Sequence, residues 1–93
     1  MTEIQYIPIP LAEVEHETEI VRRTLRKYGH RLQQQGEIPA EASPVEINDA
    51  MEQYVPRIVR AVHQSPLYPH VRAKGPRLLA RFVEELITQA RTR

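Results

Sequence analysis

Leu11, Val14, Thr18, Val21, Leu25, Tyr28 and Leu32 follow one another at spacings of three and four without a slip. No other pattern constrains the folding of this chain as much. On an α-helix the seven form one heptad stripe, whereas a strand would scatter them over both faces. The spacing predicts a helix of about 20–25 residues. Charge order agrees with it. Glu13, Glu15, Glu17 and Glu19 come first, and Arg22, Arg23, Arg26, Lys27 and Arg31 follow. Acids near the N-terminus and bases near the C-terminus both complement the helix dipole. Glu19 also precedes Arg23 by four residues, the favourable orientation for a helical ion pair. This charge run reads as a solvated helix face. Gly29 sits inside the pattern at some cost in helix propensity, and Gly36 is placed to cap its end.

Further along, Ser43-Pro44-Val45-Glu46 has the form of a helix start, with Ser43 as N-cap, Pro44 at the first helical position and Glu46 completing a capping box. Ile47, Ala50, Met51, Tyr54, Ile58, Ala61 and Val62 then keep one helical phase through Pro56. One helix from about 44 to 64, kinked at Pro56, is expected, because a restart would leave Val55 as a poor cap. Gly75-Pro76 opens a last helix with a broad stripe of Leu78, Leu79, Phe82, Val83, Leu86, Ile87 and Ala90. Between these helices Pro66 and Pro69 form a stiff elbow with room for one extra turn. At the other end, Pro8 and Pro10 within IQYIPIP deny a ladder two donors and favour an extended segment. The expected fold is all-α: a small three- to four-helix bundle with a Pro-kinked middle helix. Residues 1–10 form an extended N-terminal arm, and 11–93 form a single helical domain.

With 93 residues, one domain is the expectation, and so short a chain buries only about 60–65% of its unfolded surface. Self-association would supply further burial. The absence of cysteine excludes disulfides, thiolate zinc sites, iron–sulfur clusters and a cysteine nucleophile. No apolar run approaches the length of a spanning helix, and the first fifteen residues carry acids where a secretory signal is apolar. A soluble, cytoplasmic protein is the expected class.

Sites of chemistry are hard to assemble from these residues. His16, His30, His63 and His70 include no i,i+4 pair. Glu13 and His16 make one E-x-x-H fragment, which a di-iron centre would need twice with two further glutamates. Ser43 and Ser65 precede prolines, where capping or turn duties explain them. Three glycines in the whole chain leave no phosphate-cradling loop. No catalytic residue, metal or cofactor is therefore assigned, and a non-enzymatic role is expected.

The charge distribution points elsewhere. Residues 1–52 hold five bases and ten acids, and residues 53–93 hold eight bases and two acids. Two such halves can attract each other, within one chain or across a dimer, or the basic half can meet an anion. Arg57, Arg60, Arg72, Lys74, Arg77 and Arg81, with Tyr68 among them, are the candidate partner- or anion-contacting residues. Tyr6 and Ile9 are the candidate contacts of the arm. The expected function is protein–protein association, as an adaptor, a regulatory subunit or a homodimer. The alternative is a nucleic-acid-binding accessory protein, in which Tyr68 stacks on a base and the basic side chains meet phosphates.

Overall fold

The computed structural model describes residues 11–92, with side chains through Arg91. The expected arm, residues 1–10 with Tyr6 and Ile9, and the terminal Arg93 lie outside the described residues. Within them the chain is all-α, with helices α1 (Leu11–Gln34), α2 (Pro44–Glu52), α3 (Val55–Gln64), α4 (Tyr68–Lys74) and α5 (Pro76–Thr92) and no strand. None of these helices is long and apolar enough to cross a membrane.

The predicted first helix is α1, and Gly36 ends it as expected. At φ 82° this glycine lets Glu37 N–H reach Leu32 O at 2.9 Å and its own N–H reach Gln33 O at 3.0 Å. Those two bonds make a Schellman motif and satisfy carbonyls the helix would otherwise leave open. Gln33 then donates to the carbonyls of Pro39, Ala40 and Ala42, holding the linker against the helix end. Ser43 Oγ accepts from Glu46 N–H at 3.2 Å, the expected N-cap, while its hydroxyl donates to the Glu46 carboxylate.

Two expectations need correction. The middle helix is not one kinked rod but two helices, α2 and α3, separated at Gln53 and Tyr54. Pro56 cannot donate to Glu52 O, and its ring crowds that carbonyl. The chain closes α2 with a tighter bond, Tyr54 N–H to Met51 O at 3.0 Å, and begins α3 with Ile58 N–H to Tyr54 O. Tyr54 serves as N-cap without any side-chain bond. Since Gln53 and Tyr54 both stay in the right-handed region, the apolar phase survives the break. The elbow, likewise, holds more than one turn. Pro69 lies in the first turn of α4, where its missing N–H costs nothing, so it helps start a helix.

All five helices contribute to one cluster of buried side chains, whose least exposed members are Val21, Ile47, Val62 and Val83. α1 packs against α2, α3 and α5; α3 touches α4 and α5; and α4 lies against α5. The α1 stripe is buried only in its middle, at Val21 and Leu25, while Leu11 is 72% exposed. Gly29 explains its own place in α1. A Cβ there would come within 2.8 Å of Ile47 Cγ2 and of Met51 Cγ, so the missing side chain is what admits α2. Arg22 ties the same two helices at their edge. Its Nε donates to both Glu52 oxygens at 3.0 Å, and Nη1 donates to Glu19 at 2.8 Å.

Gly29→Ala gains up to about 1 kcal/mol of helix propensity, but the collision with two buried side chains costs about 1–3 kcal/mol. Net destabilisation is expected in urea unfolding. Arg22 hydrogen bonds hold the Glu19 and Glu52 carboxyls below their ordinary value of 4.5. Such groups add stability above that value and lose it as pH falls below it. Arg22→Gln should consequently flatten the loss of thermal stability between about pH 5 and about pH 3. An unchanged acid profile would show that these pairs contribute nothing.

Candidate functional site

The basic residues singled out in the sequence do not all converge on one patch. Arg72 pairs with Glu13 across α4 and α1. Tyr68 is 7% exposed and points into the core, so it is removed from the set that could stack on a base. Arg81 borders a shallow depression with Glu84 and Glu85, which dilutes its charge. Arg57 lies beside Arg91, near the C-terminal end of α5. Arg77 starts that helix, roughly 21 Å away along its axis at 1.5 Å per residue. Arg57, Arg60, Lys74, Arg77 and Arg81 have no ion-pair partner among the described residues.

Acidic and basic halves of the chain do meet within the chain. Besides Glu13–Arg72, Glu37 of the linker pairs with Arg91 of α5. A third contact centres on Glu17, which is 4% exposed. Its Oε1 accepts from the Tyr68 hydroxyl at 2.7 Å and lies 3.2 Å from His63 Nε2, while Oε2 is buried with no hydrogen-bond partner among the described residues. The His63 and Tyr68 rings meet edge-on at 5.0 Å. Burial, then the hydrogen bond to Glu17 and the charge of Glu17, push the Tyr68 phenol above its ordinary 10.0, so it remains a protonated donor. Three helices are thereby joined at one carboxylate.

Sequence reasoning missed this residue by placing Glu17 in a solvated charge run. A signal was present: Glu17 lies three residues after Val14 and four before Val21, in phase with the buried stripe. His63 at the end of α3 and Tyr68 at the start of α4 are its partners. His16 and His70 are exposed. Among the described residues no three His, Asp or Glu side chains are grouped to hold a metal ion.

A further concave feature lies toward the opposite end of α1. A half-open cleft of about 260 Å³ is enclosed by the C-terminal half of α1, the α2–α3 junction and the end of α5. Leu25, Met51, Ile58 and Ile87 form its buried floor. Tyr28, Tyr54, Arg57 and Arg91 bring its polar groups. Arg91 is committed, donating to the Tyr28 hydroxyl at 3.0 Å, lying 5.9 Å from that ring and pairing with Glu37. By contrast, Arg57 has no ion-pair partner among the described residues, and Tyr54 is 42% exposed beside it. The break at Gln53–Tyr54 brings both residues to this opening. A low-polarity floor beside one uncommitted guanidinium can receive apolar side chains that carry an acid next to them.

Tyr68→Phe removes a hydrogen bond to a buried carboxylate and should cost about 1–3 kcal/mol. Equilibrium urea unfolding checks this, and a loss below about 0.5 kcal/mol would show that the bond is not formed in solution. No protein-family model matches the sequence, and comparison with curated proteins and with solved structures finds no match.

Proposed function

We propose that this protein acts by binding another protein, as an adaptor, a regulatory subunit or one half of a homodimer, and that the cleft between α1, α3 and α5 is its docking surface. The observation that carries this reading is the pairing of exposed Tyr54 with unpaired Arg57 beside an apolar floor. Tyrosine and arginine are the residues most often found at the energetic centre of protein interfaces. Each presents a large surface and a few directional donors, and burying them against apolar partners excludes water from the polar contacts. A shallow, half-open shape suits side chains from a partner better than it suits an enclosed small molecule.

The nucleic-acid reading retains Arg60, Lys74, Arg77 and Arg81 as exposed side chains without ion-pair partners. Their small number and the acids beside Arg81 give it less support, because phosphate-driven binding needs many cations along one track.

Tyr54→Ala with Arg57→Ala should abolish self-association in size exclusion with light scattering, or capture of a partner from cell extract. Its unfolding midpoint should stay near that of the wild type, since both side chains are exposed. Association that persists undiminished in the double variant would move the docking surface elsewhere. Strong, steeply salt-dependent binding to duplex DNA or single-stranded RNA, lost in Arg77→Ala/Arg81→Ala, would instead favour the nucleic-acid reading.

A further inference from the structure

The cleft and the chain's own first ten residues are complementary in chemistry. The segment MTEIQYIPIP carries Ile4, Tyr6, Ile7 and Ile9, two prolines, and Glu3 as its one acidic side chain. Proline-containing apolar segments recognise grooves lined by aromatic rings, because their limited backbone freedom reduces the entropy lost on docking. The cleft offers Tyr28 and Tyr54 for that purpose, an apolar floor for isoleucine side chains, and Arg57 without an acid. Glu3 supplies the missing charge.

Distance decides which copy supplies the segment. The cleft begins at Leu25, about 21 Å along α1 from Leu11 at 1.5 Å per residue. A fully extended chain covers at most about 3.3–3.6 Å per residue. In its own molecule Ile9 therefore reaches back only about 7 Å and Ile7 about 14 Å, short of the cleft, while Ile4 arrives only when every intervening residue is stretched. The segment of a second molecule is not held to this cleft by that tether.

We infer that the cleft takes residues 1–10 of a second copy of this chain, so that two molecules exchange these segments. This inference rests on the association reading above and specifies its partner. Reciprocal exchange uses each cleft once and closes the pair, as two-fold dimers do.

The test uses the full-length chain and five variants: Ile7→Asp with Ile9→Asp, Tyr54→Ala with Arg57→Glu, Glu3→Arg, Arg57→Glu, and the last two combined. Light scattering after size exclusion should give a dimer for the wild type. Each of the first two variants should weaken dimerisation at least roughly tenfold, the effect of losing interface anchors. Mixing them should restore heterodimers, because one intact segment then meets one intact cleft. Glu3→Arg combined with Arg57→Glu should recover part of what either charge change alone loses. A synthetic peptide of residues 1–10 should compete with the wild-type dimer.

A wild type that stays monomeric at high concentration would overturn the exchange while leaving an outside partner for the cleft. A dimer unaffected by Ile7→Asp/Ile9→Asp but lost in the cleft variant would show that the cleft binds another surface of the second copy. A dimer unaffected by both variants would overturn this inference and the cleft's docking role together.

Discussion

A helix as long as α1 cannot be covered by a single neighbour of ordinary length, and this constraint orders the rest of the molecule. At 24 residues it extends about 36 Å, whereas α2, α3 and α4 are each ten residues or shorter. Different elements must cover different levels of it. Near its start the end of α3 and the start of α4 close over Glu17; past its middle, α2 closes over Gly29. The two closures work by opposite means. At Gly29 nothing but backbone is present, so α2 comes close enough for Ile47 and Met51 to pack. At Glu17 a charged group is enclosed and held by a phenol and an imidazole.

The cost of those closures differs as well. Close packing at Gly29 needs only the absence of a side chain. Enclosing Glu17 takes a carboxylate out of water with one oxygen unpartnered, which weakens its value as a stabilising contact. What it supplies instead is discrimination. Only a packing that brings Tyr68 and His63 to Glu17 avoids stranding it, so the register of α3 and α4 against α1 is specified by chemistry that apolar contacts lack.

The cleft is the counterpart of these closures. α2 ends early because Pro56 interrupts the helical hydrogen bonds, and α3 resumes at Val55. At that junction Tyr54 and Arg57 face an opening that no described helix fills, and α5 ends beside it with Arg91 already engaged by Tyr28 and Glu37. A continuous middle helix would have had no such interruption at this level. The same proline that breaks the helix thus places the two side chains on which the docking proposal rests.

Helix content, the stop at Gly36, the cap at Ser43 and the apolar stripes were legible in the residues, because each depends on neighbours within one or two turns. Chain composition likewise ruled out thiolate chemistry. The sequence alone also showed an acidic half and a basic half. Tertiary structure decided which charges meet: Glu13 with Arg72 and Glu37 with Arg91 cancel locally, while Arg57 stays uncommitted. It also decided that Tyr68 is an internal donor, that Glu17 is buried, and that Gly29 is a contact point. Those outcomes follow from distances between residues 18 to 59 positions apart in the chain. Helical periodicity fixes a residue's direction on its own helix and carries no information about which helix arrives opposite it.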